Sequence, residues 1–498
     1  MAGLFVYVRG LVQKFVVAIA GRGYKSTMKR KILLCCFAVL LAWSSAPAQS
    51  AKLIVKDAKI FSMAPNQPEP FTGYLVVAED GTIADVAPGD PPASIDAKET
   101  FDARGDWIIP GFISAHSHIW QSAYRGLASD QTLTGWIDAL YGHTAPLAKA
   151  EDFYWFTLHG SLDHLLHGVT AAYNFNYGGP SSFDFGHPPP SSQSPEAYEE
   201  QQFRAEMDSG IRFVHGYQVG RAGPHYSTDD ARRALKTFLD WTATQPKSSA
   251  FLSVMINGGT AFNNTYQQAV LEKSLMDEFH IGNQSHYLEP PETAGEEQSK
   301  FRWFMDSGLL SKQLIFGHFI HTNDFILQQT AAAGASMSWN PLSNGRLASG
   351  TADIPKYLKM GVRVGMGVDG EASADIADPF ENMRTGLYAI RDKYEDAKIM
   401  SPYDVLRLHT MGSADVLGVA DRLGSLERGK FADFLVISPE RFGHVFDPYA
   451  SLVFIGEQED IKRVYVGGTL LVKDGTTVKQ DFDKAQNEVD RRVAASLK

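Results

Sequence analysis

The sequence has only two cysteines in 498 residues, the adjacent Cys35 and Cys36. Both lie in an N-terminal segment that we expect to be removed, so the mature chain would contain none. This excludes disulfide bonds and thiolate-bound metal ions from the mature protein. Any metal ion would have to be bound by histidine and carboxylate side chains.

Basic side chains are also scarce. The chain has 46 Lys and Arg against 57 Asp and Glu, and its net charge is -11. Seven of the basic residues and no acidic residue precede position 49, so a mature chain would carry about -18. No region has the concentrated basic surface that nucleic-acid binding requires. We therefore expect a small-molecule substrate and no nucleic-acid partner, and the sequence leaves a homo-oligomer open.

The apolar run near the N-terminus is short. It extends from Ile32 to Trp43, about 12 residues, whereas a membrane-spanning helix needs about 20. Basic residues 29–31 precede it, and small residues follow it up to Ala48. This order of basic, apolar and small residues is typical of a secretory signal.

We therefore interpret residues 1–48 as a signal peptide, with Met28 as the candidate true start. The mature chain would begin near Gln49 and be exported, to the periplasm or outside the cell, with no membrane attachment after cleavage. The alternative is a retained N-terminal extension that anchors the protein.

The two ends of the remaining chain resemble each other in pattern. Short segments of β-forming residues occur at 74–78 and 82–87, with an Asp-Gly turn between them. Similar segments recur at 431–438 and 463–473. Both terminal regions are therefore predicted to contain only β-strands.

The middle of the chain alternates between strand-like and helix-like segments. Apolar strand-like runs include 108–115, 211–214, 251–256, 314–317 and 362–368, and helix-like stretches include 151–167, 227–243 and 323–333. Such alternation predicts βαβ units and a parallel sheet. The length of this region, about 320 residues, suits an eight-stranded barrel with insertions.

We therefore predict an α/β fold, a (β/α)₈ TIM barrel with a small composite β-sandwich formed by both terminal regions. The predicted parts are a signal at 1–48, sandwich strands at 49–109, the barrel at 110–429, further sandwich strands at 430–480 and a C-terminal tail at 481–498. A loop at 178–195, rich in Gly, Pro and Ser, is either a lid over the site or a surface excursion.

The first candidate functional motif is His116-Ser117-His118, at the end of an apolar strand. Side chains alternate along a strand, so the two histidines point to the same side and can reach one metal ion. Taken alone the motif is weak evidence, because the chain has 15 histidines. A single buried histidine is more often a hydrogen-bonded core residue than a ligand.

Four further motifs follow in order along the chain. They are HYLEP with His286 and Glu289, LIFGHFIH with His318 and His321, the segment SWNPLSNGRLASG, and GVDGEAS with Asp369. Each histidine or acid ends an apolar strand, and the order along the chain is HxH, HxxE, H and D. This order is stronger evidence for a metal site than any single motif. An aspartate at a strand end would otherwise be a turn or helix-cap residue.

This order resembles the amidohydrolase superfamily, in particular its mononuclear branch of cytosine, guanine and adenosylhomocysteine deaminases and triazine hydrolases. The resemblance covers nearly the whole mature chain. It rests on PGFISAHSH, HYLE, NPLSN, GVDGEAS and the later DRLGSLERGKFADFLVI. The sequence departs from relatives at Tyr287 and Pro290, where they often have a smaller residue and no proline.

The resemblance implies specific roles. His116, His118, His286 and Asp369 would bind one divalent ion, Zn²⁺ or as a second choice Fe²⁺. Glu289, His318 and Asp369 would be the catalytic groups. The binuclear branch adds a modified lysine on a middle strand, but the candidate strand FLSVMING has none, and Lys273 lies in a helix-like stretch. A single ion is therefore expected.

The expected activity is hydrolysis of a C–N bond in a small molecule, foremost deamination of an aminated heterocycle. Dechlorination of a triazine and cleavage of an amide, urea or carbamate are the alternatives on the same scaffold. A non-catalytic binding protein is the alternative from another class, although such proteins usually lose metal ligands.

Four residues are candidates for substrate contact. They are Trp120, Gln121, His215 and His321. Trp120 could equally belong to the core, and His215 could be a hydrogen-bonded scaffold histidine. Arg125 is expected to be structural, and the histidines at 143, 159, 164 and 167 are expected to be solvated or packed.

Overall fold

The computed structural model describes residues 50–180, 194–220 and 227–498. The predicted signal peptide, its cleavage site and most of the predicted lid loop lie outside the described residues. The described chain forms two compact units. The smaller contains Ser50–Ala51 and Pro92–Lys98, and the larger contains Lys52–Pro91 and Glu99–Lys498, which include all the residues discussed below.

The strands and helices are as follows in chain order. The strands are β1 Ser50–Ile60, β2 Phe71–Ala78, β3 Ile83–Pro88, β4 Asp96–Asp102, β5 Trp107–Pro110, β6 Phe112–His118, β7 Val169–Phe175, β8 Arg212–Gln218, β9 Phe251–Gly258, β10 Gly282–Tyr287, β11 Leu314–His318, β12 Ser336–Trp339, β13 Arg363–Met366, β14 Asp369–Gly370, β15 Phe434–Ile437, β16 Ile461–Val466, β17 Thr469–Lys473 and β18 Thr476–Thr477. The α-helices are α1 Leu133–Ile137, α2 Ala150–Leu166, α3 Pro195–Ser209, α4 Thr228–Thr244, α5 Gln267–Phe279, α6 Ala294–Asp306, α7 Asp324–Ala332, α8 Pro341–Arg346, α9 Ile354–Lys359, α10 Pro379–Tyr394, α11 Pro402–Arg407, α12 Ser413–Val416, α13 Pro448–Ile455 and α14 Phe482–Ser496.

The central sheet is parallel and closes on itself. Its strand order is β13-β12-β11-β10-β9-β8-β7-β6-β14. β13 and β14 are consecutive segments, and β14 pairs with β6 while β13 pairs with β12. Together they act as an eighth strand that joins the two edges, so the barrel is the predicted (β/α)₈ fold.

The barrel strands are enclosed on both faces, including the polar residues that several of them carry. Every residue of β7 and of β8 is buried, which fits strands covered on both faces by side chains and helices. Helices such as α2, α3 and α4 lie between successive strands. The C-terminal ends of all eight strands therefore open on one face, where barrel enzymes place their active sites.

The second sheet unites both terminal regions, as predicted. Its order is β18-β17-β16-β15-β5-β1-β2-β3. β15 runs antiparallel to β5, with Leu435 opposite Ile109 and Val436 opposite Ile108. β5 is followed, after Gly111 alone, by β6, so this sheet fixes the start of the first barrel strand.

The C-terminal segment, interpreted from sequence as a tail, is a helix. In α14 the apolar Ala485 and Val489 are buried, and Arg492 pairs with Asp152 of α2. The helix therefore packs against the barrel. In the part of the chain that is described, no helix is long and apolar enough to cross a membrane.

Candidate active site

Five polar side chains from four strands meet at the C-terminal end of the barrel. β6 contributes His116 and His118, β10 contributes His286, β11 contributes His318 and β14 contributes Asp369. The pairing of adjacent strands places these residues at the same height in the barrel, because Asp369 lies opposite Ser117 and Tyr287 lies opposite His318. The barrel therefore brings together residues separated by up to about 250 positions in the sequence.

The predicted ligand atoms are close to one another. His118 Nε2 lies 3.1 Å from His286 Nε2. Asp369 Oδ1 lies 3.3 Å from His116 Nε2 and 3.5 Å from His118 Nε2. Two overlapping groups, His116 with His118 and Asp369, and His116 with His286 and His318, each have their ligand atoms within 4.8 Å.

These donors fit a divalent cation. His116 Nε2 is buried and has no hydrogen-bond partner among the described residues. Burial lowers the pKa of His118 to about 3 and that of His286 well below its usual range, so both imidazoles are neutral. Burial opposes ionisation of Asp369, but the adjacent His116, together with His318 and His118, outweighs it and keeps the Asp369 pKa well below its usual range. Neutral imidazoles with one carboxylate are a ligand set for Zn²⁺.

Gln284 orients the first ligand. Its Oε1 accepts a hydrogen bond from His116 Nδ1, and its Nε2 donates to the Ala115 carbonyl at 2.9 Å. This contact places the ring proton on Nδ1 and leaves Nε2 free to bind a metal ion. The sequence reasoning missed Gln284, although it lies two residues before His286 and so shares its side of β10.

The segment NPLSN orients His318 in the same way that Gln284 orients His116. His318 Nδ1 donates to Asn344 Oδ1 at 2.7 Å, which directs Nε2 towards the site. His318 Nε2 lies 3.5 Å from Glu289 Oε2 and 3.7 Å from Asp369 Oδ2. Burial disfavours the charged imidazole, but Glu289 and Asp369 outweigh it and raise the pKa of His318.

Glu289 is a buried carboxyl beside this histidine. Burial raises its pKa to about 7, although the neighbouring His318 opposes the rise. Ser349 Oγ donates a hydrogen bond to Glu289 Oε1 at 3.3 Å. A carboxyl group with a pKa near 7 can both donate and accept a proton at neutral pH.

Two of these strand ends have unusual backbone geometry. Asp369 and His318 have φ of 60° and 66°, in the left-handed region that non-glycine residues rarely occupy. Such conformations cost about 1–3 kcal/mol each and cluster at functional sites. The surrounding barrel stabilises them, and they direct both side chains towards the same point.

A cavity of about 250 Å³ opens onto these groups. His118, His286, Glu289, His318 and Asp369 line its reactive end. The remaining wall is mainly apolar and aromatic and includes Leu133, Trp136, Ile137, Tyr141, Phe175, Val219, Phe262 and Leu347. Asn176, Gln218 and Ser373 add polar groups to it. Such a wall suits a flat, largely uncharged molecule.

Trp120 and Gln121 do not line this cavity. Trp120 is fully buried and donates from Nε1 to the Phe175 carbonyl at 3.2 Å. Gln121 is also fully buried and donates from Nε2 to the Tyr141 hydroxyl at 3.1 Å. A Cβ on Gly370 would lie 1.8 Å from Gln121 Oε1, so a larger residue there would displace the Gln121 side chain. The two residues support the wall from behind, the core alternative considered for Trp120.

His215 and His321 lie outside the cavity wall as well. His321 donates from Nε2 to the Ser349 carbonyl at 2.8 Å and so braces the segment that contacts Glu289. His215 points outward from β8 towards α3. There Nε2 lies 3.0 Å from Glu199 Oε2, and Nδ1 lies 2.8 Å from Glu206 Oε2. The predicted substrate contacts are therefore replaced by supporting ones, because each ring faces a neighbouring element.

The structure also places the residues expected to be structural. Arg125 pairs with Glu371 and, at 3.0 Å, with Asp163. His164 is fully buried, with Nε2 3.1 Å from Ser117 Oγ. Lys273 pairs with Asp277 on α5, away from the cavity.

Some cavity residues have no motif in the sequence. Asn176, Gln218 and Phe262 are examples, since each lies at or just after the end of a barrel strand but has no recognisable motif around it. Their one detectable signal is position just after a strand, which is where barrel enzymes contact substrate.

The His215 cluster leads to a prediction about stability. Burial disfavours the charged imidazole, but Glu206 and Glu199 outweigh it and raise the pKa of His215 to about 9. A raised histidine pKa adds stability that is complete below its unfolded value, about 6.5, and is lost as pH rises through about 9. We expect His215→Gln to lower the free energy of unfolding by about 3–5 kcal/mol at pH 7, because it leaves two buried carboxyls without their cation.

Urea unfolding at several pH values checks this prediction. Between about pH 7 and 9 the stability of the wild type should fall more steeply than that of His215→Gln. His143→Gln is the matched control, because His143 is exposed and pairs with the exposed Asp138. Parallel pH profiles for the wild type and His215→Gln would contradict the assignment of a charged His215.

Comparisons with known proteins agree with this geometry. The profile of the amidohydrolase family matches residues 107–471. A 5-methylthioadenosine/S-adenosylhomocysteine deaminase of Desulforudis audaxviator (strain MP104C) is 26% identical over 451 residues, covering 88% of this chain and 98% of that protein.

Two solved structures share the fold. An adenosine deaminase from Xanthomonas campestris with bound zinc has a TM-score of 0.77 at 18% identity, covering 91% of this chain and 100% of that one. Atrazine chlorohydrolase from Arthrobacter aurescens TC1, complexed with zinc, has a TM-score of 0.76 at 20% identity, covering 89% and 100%.

Proposed function

The chain belongs to the amidohydrolase family, and from this premise we propose that it deaminates an aminated heterocycle with the help of one divalent ion, most simply Zn²⁺. The observation that carries the proposal is the position of Glu289. Its carboxyl lies 3.5 Å from His318, beside the predicted metal ligands and at the end of an apolar cavity.

His116, His118, His286 and Asp369 would bind the ion. When bound, the ion supplies Lewis acidity and lowers the pKa of a coordinated water towards about 7. Asp369 is ionised, as its lowered pKa indicates, and can accept a proton from the attacking water.

Glu289 and His318 would serve the substrate. Glu289 can pass a proton to the ring nitrogen beside the attacked carbon and then to the departing amine. His318 Nε2 can donate a hydrogen bond to the oxygen that adds to the ring, because Asn344 fixes its other nitrogen. The balanced reaction consumes one water, forms a C–O bond, breaks a C–N bond and releases ammonia.

The cavity supports an amino-substituted ring as substrate. Phe175, Trp136 and Phe262 offer aromatic surface for stacking. A curated relative is a deaminase of 5-methylthioadenosine and S-adenosylhomocysteine, so aminopurines come first among the candidates. Chlorinated triazines come second, because a structural neighbour is an atrazine chlorohydrolase.

Ammonia release tests the proposal. The purified, zinc-loaded chain would be incubated with aminopurines, aminopyrimidines, amino- and chlorotriazines, simple amides and ureas. We expect ammonia from at least one amino-heterocycle, with turnover that depends on added metal. Chloride release from triazines alone would show that the enzyme is a dechlorinase and not a deaminase. Hydrolysis of amides alone would show that it is an amide hydrolase.

We also propose that the protein is exported, on the basic, apolar and small-residue pattern of residues 1–48. Export would place the enzyme where it meets external compounds, which favours scavenging or detoxification as its role. Mass spectrometry of periplasmic or secreted material should show a chain that begins near Gln49. A mature membrane-bound form with an intact N-terminus would contradict export by cleavage.

A further inference from the structure

Gln218 lines the cavity and has a hydrogen-bond acceptor without a partner among the described residues. It ends β8, and the residue as a whole is 8% exposed. Its Nε2 donates to the Val219 carbonyl at 3.3 Å, which leaves Oε1 as the free atom of the carboxamide. Among the described residues, Oε1 is buried and has no hydrogen-bond partner.

An unpaired buried acceptor is costly. Leaving such a group without a partner costs about 1–3 kcal/mol, so native proteins rarely retain one without a reason. The adjoining wall is mainly apolar, and a leucine or methionine would fill the same space at no such cost. A ligand that donates a hydrogen bond at this point would satisfy the acceptor.

The backbone of Gln218 is fixed by a buried chain of polar groups. The Gln218 N–H donates to Glu199 Oε1 at 2.9 Å. Glu199 Oε2 lies 3.0 Å from His215 Nε2, and His215 Nδ1 lies 2.8 Å from Glu206 Oε2. Glu199, His215 and Glu206 are all fully buried.

The same chain continues to the predicted metal ligands. Glu206 Oε1 accepts a hydrogen bond from Asn174 Nδ2 at 2.7 Å. Asn174 Oδ1 in turn accepts one from the Ile119 N–H at 2.9 Å, and Ile119 directly follows His118. A rigid network thus sets the separation between Gln218 and the ligand strand β6.

Gln218 also lies away from the proton-transfer groups. β9 and β10 stand between β8 and β11, which bears His318. A ring whose reacting carbon lies beside Glu289 and His318 would therefore present a different edge to β8. That edge is the part of the substrate that does not react.

We propose that Gln218 determines specificity by accepting a hydrogen bond from an N–H or O–H donor on the non-reacting side of the substrate. The donor is a ring N–H, a second amine or a sugar hydroxyl. Glu199, His215 and Glu206 are positioning residues that act through Gln218. This inference rests on the proposed deaminase function and narrows it to heterocycles that carry a second donor.

Matched probes separate the possible donors. Adenine and 9-methyladenine differ in a ring N–H, as do cytosine and 1-methylcytosine. Adenosine and 2′,3′-dideoxyadenosine differ in sugar hydroxyls. For each pair, kcat/KM from ammonia release and Kd from calorimetry would be measured on the zinc-loaded chain.

We expect the wild type to favour the donor-bearing member of at least one pair by about 10- to 100-fold, the range that an unpaired acceptor implies. Gln218→Met, which is similar in shape, should reduce that ratio to about threefold or less. Gln218→Glu retains an acceptor and should retain the preference. Gln328→Leu, on the exposed side of α7, is the matched control and should not change the ratio.

Glu199→Ala tests the positioning network. Loss of the bond to the Gln218 N–H should reduce the donor preference, mainly through KM. A purely structural defect would instead lower both members of a pair equally and leave their ratio unchanged, which would overturn the positioning role.

The two proposals can fail separately. If ammonia is released but Gln218→Met keeps the wild-type ratio, the specificity role is wrong and the deaminase function stands. If no probe releases ammonia but Gln218→Met lowers the Kd ratio within a pair towards one, the deaminase function is wrong and Gln218 still discriminates between the ligands. If no donor-bearing probe binds, the specificity role is overturned.

Discussion

His286→Asn is expected to lose the metal ion and, with it, all measurable hydrolysis. His286 Nε2 lies 3.1 Å from His118 Nε2, so this substitution removes one ligand from the centre of the cluster. The metal content should fall from about one ion per chain to near zero, because the proposed Zn²⁺ site needs all four protein ligands. Activity should fall by at least about 10³-fold, because a Lewis acid contributes several kcal/mol to such reactions.

Elemental analysis after metal loading and dialysis measures this directly. His280→Asn is the matched control, because His280 is an exposed residue at the end of α5. Its φ of 55° is one that asparagine tolerates, so the control should fold and bind metal normally. Full metal content in His286→Asn, or two tightly bound ions in the wild type, would contradict the single four-ligand site.

A graded result is expected from Gln284→Leu. This change leaves every ligand in place but removes the hydrogen bond that orients His116. Losing such a supporting contact typically weakens metal binding by about 10- to 100-fold. Competition with a chelator should therefore rank Gln284→Leu between the wild type and His286→Asn.

Glu289→Gln is expected to retain the fold and the metal but to lower kcat by at least about 100-fold. The amide has the same shape as the carboxyl and keeps the hydrogen bond from Ser349, but it cannot transfer a proton. General acid–base catalysis is typically worth about 10²–10⁴-fold. Because the loss lies in a transition-state interaction, kcat and kcat/KM should fall together.

The matched control is Glu292→Gln, an exposed carboxyl three residues further along the same loop. It should leave both activity and metal content unchanged. Loss of metal in Glu289→Gln would make Glu289 a ligand. Unchanged activity with a full metal complement would make it a structural anion beside His318.

The sequence alone was sufficient to identify the barrel and the ligand set as a hypothesis. His116 and His118 alternate along a strand, and the other polar residues each end an apolar segment. This pattern is local, because hydrophobic periodicity determines where strands end and which side chains share a face. Family resemblance then supplied the roles, and the structure brings the ligand atoms of two overlapping groups of these residues within 4.8 Å of one another.

The sequence could not predict the direction in which individual side chains point. His215 follows an apolar run in the sequence, but it lies in the middle of β8 and points outward to Glu199 and Glu206, whereas His286 points inward. The motif-free Gln218 lines the cavity instead. Periodicity predicts that two residues share a face, but which face is inside depends on how neighbouring strands and helices pack.

The sequence by itself therefore determined the order of strands and helices, the chemical nature of the site and the exclusion of thiolate ligands. Only the tertiary structure showed that Gln284 orients His116 and that Gln218 lines the cavity. It also showed that Trp120, Gln121 and His321 support the cavity wall and do not form it. The physical reason is that these roles arise from contacts between residues far apart in the chain. Such contacts exist only after the barrel closes and buries its polar groups with their partners.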